Sequence, residues 1–161
     1  MQPQWNPLIV NVPIVVTLPA YTQYDVVGGL LTSAAVEQIK GGGFISWGRL
    51  VDGAQQAEAY QLFCYYQTPS TIADAAQFIP LEADHKKLFT VLDIPEANYL
   101  SIDSEAEANV AFFHGKDLTT GEYHHFPSLG TGYLMFYLYA QATPDYAAVG
   151  DLTLDLCLMV Q

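Results

Sequence analysis

His85, His114, His124 and His125 are the residues of this 161-residue chain best suited to metal or acid–base chemistry. A metal site on one strand needs two ligands on the same face, and a helical site needs an i, i+4 pair. His124 and His125 are adjacent, so on a strand they point to opposite faces. Only a fold that brings His114 onto one of them, with an acid such as Asp117, would build a metal site. Ordinary strand and loop histidines are the simpler reading.

Other candidate chemistry fares no better. Gly28-Gly29 and Gly41-Gly42-Gly43 lack the spacing of a phosphate loop, and no helix start follows them. Acid pairs such as Glu105/Glu107 or Asp151/Asp155 could flank a sugar as a hydrolase requires, but 17 acids in one domain produce such pairs by chance. Ser46, Ser101 and Ser128 have no nucleophile elbow around them. Asp145, Asp151 and Asp155 lack calcium-loop spacing. The expectation is no catalytic residue, no metal and no cofactor.

The elements that would position these residues are strands. In residues 151–161, Leu152, Leu154, Leu156, Leu158 and Val160 alternate with Asp151, Thr153, Asp155, Cys157 and Met159. That period of two puts the leucines in one row facing a core. Residues 133–141 carry a similar row and are the natural pairing partner, with Pro144 and Gly150 marking the turn between them. Residues 44–52 and 59–67 read as a second antiparallel pair across Asp52-Gly53. Further strands are expected at 24–32 (bent at Gly28-Gly29), 89–92, 99–103, 109–113 and 121–126, with one short helix at 81–88 and a surface loop at 69–80. About nine short strands and almost no helix predict an all-β, single-domain β-sandwich of jelly-roll type over residues 20–161.

Residues 1–19 mix Pro3, Pro7, Pro13 and Pro19 with apolar runs. Proline is confined to sheet edges, so the pattern fits an extended N-terminal arm lying on its own domain or a neighbour, or else an edge strand. As an arm, Trp5, Leu8, Ile9, Val10, Ile14, Val15 and Val16 would be its partner-binding residues, and its removal would leave the body folded.

Trp5, Trp47 and exposed tyrosines could form a sugar platform; the competing reading puts them in the core and in subunit contacts. On a regular strand Trp47 shares a face with Ile45 and Val51, which favours the core. Arg49 falls on that face too, and it is the only arginine; a partly buried guanidinium needs a carboxylate, for which Asp25 is a candidate.

Charge narrows the partners. The net charge is −12, from 17 acids against 5 bases scattered along the chain. Duplex nucleic acid requires clustered Lys and Arg, and anionic membrane surfaces require the same, so both are disfavoured. Cys64 and Cys157 form neither a disulfide framework nor zinc spacing, and each lies in an apolar strand as a small buried hydrophobe. Residues 1–6 lack a basic leader and no apolar run is long enough to span a bilayer, so a soluble protein made in a reducing cytoplasm is expected.

The order Asp25-Val26-Val27-Gly28-Gly29-Leu30-Leu31-Thr32, a Gly-rich break, Arg49-Leu50-Val51-Asp52, Tyr60–Tyr65 and Pro69-Ser70-Thr71-Ile72-Ala73-Asp74 resembles small virion structural proteins of tailed bacteriophages. The closing Leu152–Val160 strand fits the same pattern. The resemblance implies a non-enzymatic decoration or cement protein on the capsid exterior, made in the host bacterial cytoplasm. Its implied partners are the major capsid protein and further copies of itself, as a homotrimer. The alternative function is a glycan-binding or fibre- or tail-associated β-sandwich module.

Overall fold

The computed structural model describes residues 4–17, 20–101, 108–146, 148 and 151–161. Its strands are β1 (Asn6–Pro13), β2 (Val26–Thr32), β3 (Gly43–Asp52), β4 (Tyr60–Tyr65), β5 (Leu88–Ile94), β6 (Tyr99–Ser101), β7 (Asn109–His114), β8 (His125–Phe126), β9 (Met135–Ala140) and β10 (Leu152–Val160). One short helix, α1 (Glu82–His85), and two 3-10 turns, Glu37–Gly41 and Glu96–Asn98, complete the elements. The all-β expectation holds. Residues 102–103 of the expected 99–103 strand lie outside the described residues, and the expected 121–126 strand shortens to β8.

Two antiparallel sheets result. The first has the order β1-β10-β3-β7-β6, with β8 also on β3; the second has the order β2-β9-β4-β5. Their inner faces contribute to one hydrophobic cluster, in which Leu154, Leu156 and Leu158 of β10 meet residues such as Leu62, Phe136 and Leu138 of the second sheet. The alternation in β10 therefore does what its period requires: its leucines and Val160 are buried, while Thr153 is exposed.

Pairing departs from the expectation of sequence neighbours. β10 pairs with β1 and β3, not with β9; β9 lies in the opposite sheet, between β2 and β4. β3 and β4 do not pair either, because the chain crosses between sheets at residues 53–59. Alternation reports which face of a strand is buried and carries no information about its neighbour.

The N-terminal segment takes the second of its two expected forms, an edge strand, in place of an extended arm. β1 pairs with β10 over its whole length, from Asn6↔Val160 to Pro13↔Thr153. Val10, Val12, Ile14 and Val16 are all buried in the main core. The chain is thus not divided into a detachable arm and a body. Thr17 then anchors onto Asp74, whose carboxylate also accepts hydrogen bonds from Tyr21 and the backbone N–H of Gly28. Residues 1–3 and 18–19 of the expected arm lie outside the described residues.

A bulge in β3 decides what the first sheet presents to solvent. Cys157 pairs with Trp47 but Leu158 pairs with Ile45, leaving Ser46 as the extra residue. Ile45 therefore faces the core, and beyond the bulge so do Gly48 and Leu50, while Trp47, Arg49 and Val51 turn outward. The expected face shared by Ile45 and Trp47 is broken at that one residue. A second irregularity between Val27 and Leu31 falls where expected, at Gly28 and Gly29, both at positive φ (81° and 68°).

The outer faces of the two sheets differ. The 69–80 loop lies over the second sheet, packing Ile72 and Phe78 against Tyr137, Tyr65 and their neighbours. Phe78 sits 4.6 Å from Phe63 and 5.4 Å from Tyr139 by ring centroids, and Tyr137 donates to the Ser70 carbonyl. Among the described residues no comparable segment covers the first sheet.

Candidate functional site

The four histidines lie in separate surroundings, His85 at the end of α1. His114 ends β7 opposite Trp47, and His125 packs against Trp5 and Phe44. His124 does approach Asp117, at 3.9 Å, as the only expected acid partner. Its Nδ1 donates to the Phe89 carbonyl at 2.9 Å, so Nε2 is left to accept from the Thr120 hydroxyl, also at 2.9 Å.

A hydroxyl held against an imidazole is the start of nucleophile activation. Here the flanking backbone N–H groups, which an oxyanion would need, are already used: Thr119 and Thr120 both donate to Asp117 Oδ1, at 2.9 and 3.1 Å. Asp117 Oδ2 accepts from Val91 N–H and the Thr90 hydroxyl. Burial alone would raise the Asp117 pKa, yet the hydrogen bonds from Val91, Thr120 and Thr119 overcome it and hold the carboxyl below its ordinary value. This cluster ties the 117–124 turn to β5. Among the described residues no group of three His, Cys, Asp or Glu side chains is placed to share a metal ion.

The outward surface of the first sheet is built by register. Residues directly opposite in antiparallel strands share a face, so Ile9, Cys157, Trp47 and His114 form one cross-strand row. The next row is Asn11, Asp155, Arg49 and Phe112. Beyond it lie Val51 and Val110, with Leu100 opposite Val110 on β6. On the other side Phe44 gathers Trp5, Tyr123 and His125, with ring centroids 5.1–5.3 Å from its own.

The charges in these rows are Arg49 and Asp155, and they neutralise each other. Arg49 donates from Nη2 at 2.5 Å and from Nε at 3.2 Å to Asp155 Oδ2, while Asn11 Nδ2 donates to Oδ1 at 3.0 Å. Burial works against the Asp155 charge, but the hydrogen bonds from Arg49 and Asn11 prevail and lower its pKa. The expected partner Asp25 instead caps Thr22. On a chain carrying −12 overall, these rows are uncharged in sum and rich in rings, with Lys116 at their margin, its Nζ 5.7 Å from the Tyr123 ring centroid.

Two hollows flank Phe112. One, of about 370 Å³, is bounded by Ser46, Trp47, Phe112, Phe113, His114 and Tyr123. The other, of about 470 Å³, runs along Arg49, Val51, Leu100 and Val110.

The expected partner-binding residues divide by burial. Val10, Ile14 and Val16 are inside the core and Leu8 packs against it, so these four are structural. Ile9 (63% exposed) and Val15 (58%) face solvent, and Trp5 is half-buried in the Phe44 cluster. Sequence reading missed Phe112 and Tyr123, and it weighed Asp155 as an acid but not as the partner of Arg49. The available signal was Gly48, since a glycine inside a strand marks a bulge or a close approach.

No family model, no curated protein and no solved structure matches the chain. No described helix is long and apolar enough to cross a membrane.

Proposed function

We propose that this chain is a non-enzymatic structural protein of a virion, decorating or cementing the capsid exterior by binding the major capsid protein, as a homotrimer. The observation that carries the reading is the segregation of charge. A surface depleted of charge and enriched in aromatic residues, on an otherwise strongly acidic molecule, has the composition of a protein interface core, and the remaining acidic surface keeps a dense particle soluble.

The strand order supports the same reading. β1-β10-β3-β7 opposed to β2-β9-β4-β5 is the winding of a double-sheet jelly roll, an architecture used by capsid and lectin domains. Docking is assigned to the β1 edge and the segment that follows it, where Ile9 and Val15 are exposed and one side of the strand has no described neighbour. An edge strand offers backbone hydrogen bonds for affinity and alternate side chains for specificity.

Cosedimentation with undecorated heads of the encoding phage tests this. Saturable binding at a fixed ratio to the major capsid protein, lost in an Ile9→Asp/Val15→Asp variant that still folds, is the expected result. No binding to heads at any ratio would overturn it.

A further inference from the structure

We propose that the same outer face, at β3 and β7, also carries a site for a neutral β-linked hexopyranose glycan that presents a C–H face free of axial hydroxyls. The site rests on a four-residue tile set by register: Trp47 lies opposite His114, and Arg49 lies opposite Phe112. Neighbouring strands lie about 4.8 Å apart and same-face residues about 6.7 Å apart, so the tile matches the footprint of a pyranose ring. The hollows on either side of Phe112 continue the surface in both directions.

A pyranose has an apolar C–H face and a rim of hydroxyls, and the tile offers a counterpart to each. Trp47 and Phe112 have centroids 6.3 Å apart and planes inclined at 50°, so neither ring is stacked flat on the other. Phe112 is 52% exposed. Inclined rings suit successive sugars of a twisted chain. Beside them, the Arg49–Asp155–Asn11 group presents the remaining guanidinium N–H donors and the spare lone pairs of the carboxylate. Such charge-assisted hydrogen bonds are the stronger kind, and the geometry between them is already held.

The same residues select among glycans. Arg49 is neutralised by Asp155 on a chain of net charge −12, which disfavours sialylated or uronic sugars. An axial hydroxyl on the stacked face would hold the ring away from Trp47, which favours sugars that keep one C–H face free of axial hydroxyls. The 69–80 loop covers the equivalent face of the other sheet, so this chemistry is confined to one side. Ile9 shares the outer face but lies on β1, two strands from Trp47, and Val15 lies beyond the end of β1, so loss of head binding in the Ile9/Val15 variant and loss of glycan binding in Phe112→Ala are separate readouts.

The test uses cellohexaose as probe and polysialic acid as anionic control, followed by calorimetry and by the indole N–H signals of Trp5 and Trp47. Cellohexaose is expected to shift the Trp47 signal saturably, and polysialic acid to leave it in place. Phe112→Ala, which removes an exposed ring and leaves the core intact, should weaken binding about tenfold or more. Arg49→Lys, which keeps the charge and loses the planar fork, should weaken it too. No saturable shift, or binding unchanged in Phe112→Ala, overturns the proposal. A Trp47 shift that follows protein concentration alone also overturns it, and assigns the face to a second copy of the chain.

Discussion

Gly48 of β3 pairs with Phe113 of β7, and the phenyl ring lies across the glycine's Cα: a Cβ at position 48 would stand 2.1 Å from Phe113 Cζ. Phe113 is 3% exposed, so the ring has nowhere to retreat. Gly48→Ala should destabilise the protein by about 1–3 kcal/mol through overpacking. Urea denaturation measures it, and Phe113→Leu in the same chain should recover part of the loss. Equal stability of Gly48→Ala and the parent would mean that the ring does not lie there.

Val12 is fully buried while Ile9, on the same strand, is 63% exposed. Val12→Ala should therefore cost about 1–3 kcal/mol, and Ile9→Ala no more than about 0.5 kcal/mol. Deleting residues 1–17 removes an entire ladder from β10 together with four core residues. The truncated chain is expected to lose cooperative unfolding, monitored by near-ultraviolet circular dichroism. A truncated chain with the parent's unfolding midpoint would restore the detachable arm.

Asp117 supplies an acid-sensitive contribution. Its folded pKa lies below the ordinary carboxylate value, so its stabilisation is complete above about pH 4 and is lost as pH falls through the folded pKa. Asp117→Asn should cost about 1–3 kcal/mol at pH 7, by weakening the contacts to Val91, Thr119 and Thr120. That difference should shrink as pH falls through the folded pKa, where the parent's carboxyl takes up its proton too. A pH-independent difference between the two proteins would refute the assignment.

Arg49 and Asp155 have side chains 46% and 17% exposed, so solvent screens their attraction. A double-mutant cycle with Arg49→Ala and Asp155→Ala should give a coupling of about 1 kcal/mol or less, decreasing with added salt. A coupling of several kcal/mol, insensitive to salt, would mean that the pair is buried by something absent from the isolated chain.

The sequence by itself determined the class of the molecule and the inward row of its strands. Leu152, Leu154, Leu156 and Leu158 alternate over a full strand, and alternation has a direct physical meaning, because successive side chains of an extended chain point to opposite faces. The bend at Gly28-Gly29 was legible for a similarly local reason: only residues tolerant of positive φ pass through it cheaply. Tertiary structure decided the rest. Whether β10 meets β9 or β3 depends on which sheet each strand joins, and period-two patterns are alike for every neighbour. Trp47 reaches the surface because Ser46 is unpaired against β10, and an inserted residue reverses the face of everything beyond it. Arg49 finds Asp155 rather than Asp25 through that same register. The rings and charges of the candidate site were all present in the chain, but their arrangement on one face follows from long-range pairing, which no local pattern of residues encodes.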